Sequence, residues 1–507
     1  MKGFTMKPPR FKICIFIVAI LLLFATGCGD STSSDLNDDP PPDTLGVNRY
    51  AGIYYTYKNT LGTMKILIET DKGVNDNFAH RRIHFEYPSS CNEPNWSYSH
   101  DDYDFWPSVG IDGPSGIPNK QDRRLFVVDV DNLTPDCFYD VNFKYRDSDA
   151  WPDNQWHETW GHFHSTPLTD GFDPSKSASE VEFYALGDTR ITDDATRDNV
   201  NNVFEAMWNH SGKKTFFLHS GDIAWNGGSP VGWYYYADSG DTKGNKGSDH
   251  NNDSWYKNFL GHVDGLPYVW EVLRHMPMFP VVGNHDIQVN ALNDGNYYSY
   301  YNHSKFIGSI GPNAYNYTRY FGGYSYNNEK AVEHQYWFRA YGPLLIWGLT
   351  AYPMPDNDFC SSTNPNFRPL AEGGTGQYDW LKASLEKHAT DARQWKIVML
   401  HTPIYDPDGG CNNQEDAKTY LIPLFEKYGV DLVVTGHEHF YARKNVNDIP
   451  YLILGGGGAG LGLSTRCQND EHCSGFDLVK NKHHFGYFQI KDDIMECSII
   501  GTDSVKF

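Results

Sequence analysis

Positive charge is scarce in this chain: its 507 residues carry 42 Lys and Arg against 64 Asp and Glu, a net charge of −22. Counterion release onto a polyanion needs a basic face, so this balance argues against nucleic acid or an anionic membrane as a partner. Long apolar runs are also missing. The run Ile13–Ala25 has 13 residues, too short for a comfortable transmembrane helix. Nine cysteines are present, and none shows zinc-finger spacing. The acidic segment 238–253 lacks the spacing and terminal Glu of an EF-hand, so it reads as a solvated loop. Gly455, Gly457 and Gly460 match a dinucleotide fingerprint, yet no helix-like segment or acidic ribose partner follows them. They read as a close-packed turn.

What is present begins with an address. Lys2, Lys7, Arg10 and Lys12 precede the apolar run, and Thr26-Gly27-Cys28 follows it, the pattern of a signal peptide over residues 1–27. Its loss would remove four positive charges and no negative ones, taking the net charge to −26. Small residues directly before a cysteine resemble the bacterial lipobox, which would make Cys28 a lipid-bearing first residue. Ala25 stands where Leu is commoner, and ordinary cleavage near Gly27 is the alternative. Lipidation implies an exported protein held at the cell surface or in the periplasm by its anchor, without spanning the membrane. Residues 28–46, polar and proline-rich, read as a disordered tether. Export permits disulfides. Cys467 and Cys473 flank a short polar loop and are the first candidate pair; Cys91 with Cys137 and Cys360 with Cys411 stay open. Setting aside Cys14 and Cys28, the remaining count is odd, which leaves a free thiol, with Cys497 a candidate.

Residues 47–168 hold short alternating segments such as Met64–Glu69, Leu125–Val130 and Tyr139–Tyr145, separated by turn residues. They predict an all-β sandwich domain. Leu133-Thr134-Pro135 followed by Tyr139 resembles the tyrosine corner of immunoglobulin and fibronectin type III domains. From residue 178 to 507 the rhythm changes to α/β. Strands are expected at Glu180–Leu186, Thr215–His219, Pro280–Val282, Trp395–Leu400 and Val430–Thr435, with helices at Ala195–Trp208, Trp255–His275, Gln377–His388 and Asp416–Tyr428. The tyrosine-rich stretch 296–341 is expected to serve mainly in packing, with one or two rings reaching a cleft.

Five motifs carry the chemistry, each directly after an apolar β-like run: Gly187-Asp188-Thr189-Arg190, Gly221-Asp222-Ile223-Ala224-Trp225, Gly283-Asn284-His285-Asp286, Val398-Met399-Leu400-His401 and Gly436-His437-Glu438-His439. Loops at strand ends are where α/β sheets place their sites. Asp188, Asp222, Asn284, His401, His437 and His439 form an oxygen and nitrogen donor set without thiolates. Two ions held by such a set can share a hydroxide, lower its pKa and clamp a phosphoryl group for attack. His437 and His439 must face different ions, and Gly436 is expected to permit the turn between them. His219, His210, His483 and His484 lack such support and read as surface or supporting residues.

The set resembles the calcineurin-like metallophosphoesterase superfamily and, through Gly436–Arg443 and the preceding β-sandwich, most resembles the purple acid phosphatases. The resemblance implies a four-layer α/β catalytic domain, a sandwich of sheets flanked by helices, behind a fibronectin- or immunoglobulin-like domain. It implies two divalent or trivalent ions (Fe, Mn or Zn). Asp222 would bridge them, with Asp188 and His439 on the first and Asn284, His401 and His437 on the second. His285 would protonate the leaving oxygen, oriented by Asp286. Two positions depart from the pattern. Trp225 stands where purple acid phosphatases carry a metal-binding Tyr, and indole nitrogen is only a donor. Arg190 stands where many other members carry a His ligand. Arg190 is expected either to bind a phosphate oxygen or to form a structural salt bridge. The function implied is an acid-phosphatase-like hydrolase of small phosphate monoesters acting through a metal-bound hydroxide. A phosphodiesterase and a non-catalytic surface-binding protein are the alternatives.

Overall fold

The structure, a computed structural model, describes residues 52–57, 63–71, 81–103, 123–145, 157–165, 180–192, 194–224, 266–287, 336–351, 362–390, 395–409, 411, 414–463, 467, 473–491 and 494–503. The signal segment, Cys28 and its tether, Trp225, the 238–253 loop and residues 296–335 lie outside them.

The first seven strands are β1 (Gly52–Tyr57), β2 (Met64–Asp71), β3 (Arg81–Glu86), β4 (Asn95–Tyr103), β5 (Arg123–Asp131), β6 (Phe138–Tyr145) and β7 (His157–His164). They form two antiparallel sheets, one ordered β1-β2-β5-β4 and one ordered β3-β6-β7. Alternation decides what each sheet buries. Ile66, Ile68, Val128 and Val130 share a core cluster with Phe85, Val141, Phe143 and Phe163 from the other sheet. A disulfide joins Cys91 to Cys137, one of the pairs left open by the sequence. Tyr139, fully buried, accepts a hydrogen bond from the Thr134 amide at 2.9 Å and donates to the Asn92 carbonyl at 3.3 Å.

Two further sheets follow. Strands β8 (Val181–Leu186), β9 (Phe217–His219) and β10 (Met278–Pro280) run parallel. The antiparallel hairpin β18 (His484–Lys491) and β19 (Ile494–Gly501) extends this sheet on the far side of β8. The second sheet is ordered β11-β12-β13-β14-β16-β15-β17. Its centre is parallel: β12 (Leu344–Gly348), β13 (Trp395–Met399), β14 (Leu432–Thr435) and β16 (Ile449–Leu454). The edges β11 (Trp337–Tyr341), β15 (Tyr441–Val446) and β17 (Leu478–Lys480) are antiparallel.

Period-two alternation shows how the layers stack. In β8, Phe183 and Ala185 belong to the same apolar cluster as Ile397 and Met399 of β13 and Leu432 and Val434 of β14. The alternate residues Tyr184, Leu186, Val398, Leu400 and Val433 belong to a different cluster, shared with the helices. Those helices are α1 (Asp194–Asn209), α2 (Pro267–His275), α4 (Gln377–Lys387) and α5 (Ile422–Tyr428); a short α3 (Asn284–Ile287) carries a motif. Sheet faces sheet, and helices cover the outside, the α/β arrangement expected. Each fully buried Val, Leu, Ile or Phe contributes about 1.5–3 kcal/mol, so strands buried on both faces hold their ends rigidly.

Strand and helix bounds follow the sequence periodicity within a few residues. The helix expected over Trp255–His275 is described only as Pro267–His275, residues 255–265 lying outside the described set. The segment expected as one helix over Asp416–Tyr428 opens with a π-helical turn, Ala417–Leu421, before α5. Cys467 pairs with Cys473 as expected, Cys411 is disulfide-bonded, and Cys497 is a buried free thiol.

Candidate functional site

All five motifs emerge at the C-terminal ends of parallel strands. Asp188 and Arg190 follow β8, Asp222 follows β9, Asn284 to Asp286 form α3 after β10, His401 follows β13, and His437 and His439 follow β14. Backbone bonds lock these loops to one another. Asp188 N donates to Gly221 O and Ser220 N to Leu186 O, both at 2.9 Å, joining the first two loops. Gly436 N donates to His401 O at 2.8 Å, joining the last two.

Asp286, expected to orient His285, has a different role. Its carboxylate takes backbone N–H bonds from Gly283, Asp222, Ile223 and Ala224 at 2.8–3.0 Å, which engages both oxygens. It clamps the third loop to the second. A carboxylate with four amide donors has little acceptor capacity left for an imidazole.

Three of the expected ligands take left-handed backbone: Asp188 at φ 62°, Asp222 at φ 58° and His437 at φ 70°. Residues other than glycine seldom adopt this conformation, and it gathers at functional sites where the surrounding structure enforces it. The turn expected at Gly436 is therefore made by His437 itself. Gly436 is required for another reason: a Cβ there would lie 2.5 Å from Asp188 Oδ2 and 2.7 Å from Ser220 Oγ. Of the glycines after β16, Gly455 and Gly457 sit in a close-packed turn as their sequence suggested, whereas a Cβ at Gly460 would meet nothing within 4 Å. Gly457 N donates to Gly187 O at 2.9 Å and Ala459 N to Asp188 O at 3.0 Å.

Two carbonyls fix the imidazoles. His401 Nδ1 lies 2.6 Å from Ser220 O, and His439 Nδ1 lies 2.6 Å from Gly460 O. A carbonyl only accepts, so each Nδ1 carries the proton and each Nε2 presents a lone pair to the site. His401 Nε2 then lies 3.0 Å from Asn284 Oδ1 and 3.3 Å from Asp222 Oδ1, and Asn284 Oδ1 lies 2.9 Å from His437 Nδ1. At His401 Nε2 a lone pair thus faces those of Asn284 and Asp222, which is unfavourable unless a cation sits among them. Asp222, Asn284, His401 and His437 thus fit a divalent ion.

The other half differs. Asp188 Oδ1 is buried with no hydrogen-bond partner among the described residues. Asp188, Asp222 and His439 offer ligand atoms within 4.8 Å of one another. Arg190 reaches into this group: its Nη1 donates to Asp222 Oδ2 at 2.6 Å, faces His439 Nε2 at 2.8 Å and lies 3.8 Å from Asp188 Oδ1. Of the two roles open to Arg190, the structure displays the salt bridge. Burial opposes ionisation of Asp222, but the Arg190 guanidinium and the hydrogen bond from the His285 amide favour the carboxylate, which is held well below the usual range. The group formed by Cys411, His437 and Glu438 also converges, but its disulfide sulfur has no thiolate to offer.

His285 sits at the rim. Its amide donates to Asp222 Oδ1 at 2.8 Å and its Nε2 is 3.9 Å from Asp222 Oδ2. Burial, helped by the positive charge of Arg190, pushes the imidazole down to about 3 against the pull of Asp222. An anionic phosphate ester beside it would draw the proton back on. His219 is not a surface residue: it is fully buried, accepts from Gly221 N at 3.2 Å and bonds Thr189 Oγ1 at 3.0 Å, bracing the first two loops. Sequence reading missed Ser220 and Gly460, because their contribution is a backbone carbonyl, which no side chain advertises.

Residues 181–441 match the calcineurin-like phosphoesterase family, and the chain belongs to it. Within that family it is similar to purple acid phosphatases. Purple acid phosphatase 18 of Arabidopsis thaliana is 35% identical over 99 residues, 18% of this chain and 23% of that protein. An uncharacterized protein of Mycobacterium tuberculosis is 28% identical over 174 residues, 34% of this chain and 28% of its own length. The chain thus aligns with under a third of either relative. The purple acid phosphatase PPD1 from yellow lupin (Lupinus luteus) shares the fold at a TM-score of 0.58 and 13% identity, over 90% of this chain and 72% of that one.

Proposed function

We propose that this chain is an exported, lipid-anchored metal-dependent phosphatase that hydrolyses small phosphate monoesters. The observation that carries the reading is the convergence of ligand atoms from Asp222, Asn284, His401 and His437, with the His401 ring fixed by the Ser220 carbonyl. An ion held there supplies Lewis acidity, polarising a phosphoryl oxygen and lowering the pKa of water. Asp222 keeps a negative charge at the centre, and Asn284 and the two imidazoles add neutral donors, so the loaded site stays attractive to an anionic ester. His285 stands on the rim to carry a proton to the departing oxygen. The preference for monoesters rests on His285 as the acid and on the likeness to purple acid phosphatases.

The same reading includes the address and the N-terminal region. Export and anchoring at Cys28 are supported by residues 1–28 alone. A fibronectin- or immunoglobulin-like domain over 47–168, ahead of a catalytic domain over 178–507, is supported by the β1-β2-β5-β4 and β3-β6-β7 sheet orders and by the bonds of Tyr139.

The test is turnover of p-nitrophenyl phosphate against bis-p-nitrophenyl phosphate by the full chain reconstituted with Mn, Fe, Zn or Co. Faster turnover of the monoester is expected, and His285→Ala should lower kcat about 10²–10⁴-fold with unchanged metal content. Faster diester turnover would replace the monoester reading. No hydrolysis with any metal would sink the enzyme assignment for this chain.

A further inference from the structure

We infer that Arg190 is a built-in cation: its guanidinium fills the place of the first ion, and the chain operates with one bound metal. This rests on the phosphatase reading of the same site and departs from the expectation of two ions. Nη1 carries two hydrogens. One is directed at Asp222 Oδ2, 2.6 Å away, and the other at His439 Nε2, 2.8 Å away. These are the lone pairs a first ion would need. The His439 ring cannot turn its other nitrogen inward without giving up the bond from Nδ1 to Gly460 O at 2.6 Å. Asp188, the third member, is fully buried and lies 3.8 Å from the same nitrogen.

A guanidinium carries one fixed positive charge, so it offsets one of the two carboxylate charges whether or not metal is present. Its reach is set by the chain. Arg190 leaves the backbone two residues after Asp188, in a loop held by the Gly457 and Ala459 amides. An incoming ion would have to displace both hydrogen bonds and expel a fixed charge toward the rim. In the second half Asn284 Oδ1 and His401 Nε2 face each other at 3.0 Å, and among the described residues no Lys or Arg is hydrogen-bonded to either atom. The guanidinium also holds the Asp222 carboxylate in position, so it supports the remaining ion through that carboxylate.

The experiment counts metal. The full chain, stripped with chelator and reloaded with Mn(II), is measured by elemental mass spectrometry and electron paramagnetic resonance. One ion per chain and the spectrum of an isolated Mn(II) are expected, and Arg190→Lys should keep that count. Arg190→His, which exchanges the cation for a ligand, should bind two ions and give the spectrum of a spin-coupled pair. Two coupled ions in the wild-type chain would overturn the inference while leaving the phosphatase reading intact. One ion without ester hydrolysis would do the reverse, and no bound ion with no hydrolysis would overturn both.

Discussion

The two halves of the site are built alike and finished differently. Each has an imidazole held by a backbone carbonyl, His439 by Gly460 and His401 by Ser220, and each draws on Asp222. In the half around His401, lone pairs face lone pairs, an arrangement a cation completes. Around His439 they face Arg190, a cation the chain already supplies. The lesson is that a ligand inventory does not count ions. The same Asp and His residues serve a metal or a guanidinium equally well, and a neighbour two residues along the loop decides which.

The largest effect should come from the half that needs metal. His401→Ala removes a ligand atom from the set it forms with Asp222 and Asn284, and kcat/KM should fall on the order of 10³-fold or more together with the bound metal. Asp188→Asn should keep the ion and lose less activity. If both variants release metal equally, the two halves are equivalent and the comparison breaks.

A smaller effect tests the contact between the halves. Gly436→Ala drives a methyl into Asp188 Oδ2 and Ser220 Oγ. The overlap should cost about 1–3 kcal/mol in denaturant unfolding and move Asp188 more than His401. An unfolding midpoint equal to that of the wild type would mean that Gly436 is not confined as described.

An effect on stability that leaves the site untouched lies away from both halves, where the N-terminal sheets meet α2. There Arg274 stacks between Trp160 and Trp270 at 3.7 and 3.5 Å, and the rings of His162 and His275 are 4.1 Å apart. Burial pushes His275 down to about 2 and His162 to about 4, and the neighbouring charges push the same way. An unfolded histidine titrates near 6.5, so below that pH the unfolded chain binds protons that the folded chain refuses. Their full stability is present above pH 6.5 and is lost as pH falls toward about 4 and below. The loss by pH 5 should be roughly 2 kcal/mol per histidine. His162→Gln with His275→Gln should flatten the fall of Tm between pH 7 and pH 5; an unchanged slope would place the acid sensitivity elsewhere.

Much of this was legible in the chain. Residues recurring at helical spacing in α1 and buried runs in β8, β13 and β14 give unambiguous periods, and a ligand must be Asp, Asn or His wherever the fold puts it. The hairpin β18–β19 was not read, because its strands pair with β8 some 300 residues earlier and local pattern carries no partner. The turn was assigned to Gly436 on propensity, whereas packing against Asp188 and Ser220 reserves that position and leaves the strain to His437. Arg190 was visible as a departure, but only the proximity of Asp222 and His439, 32 and 249 positions away, gives it a job.

The long return of β18 has a consequence for synthesis. The strand that ends in Asp188 has β9 on one side and β18 on the other, with pairs such as Phe183 to Phe488 and Val181 to Ile490. A ribosome must therefore release residue 490 and its neighbours before β8 gains its second edge. Until then an apolar strand waits half-paired, exposed to other chains.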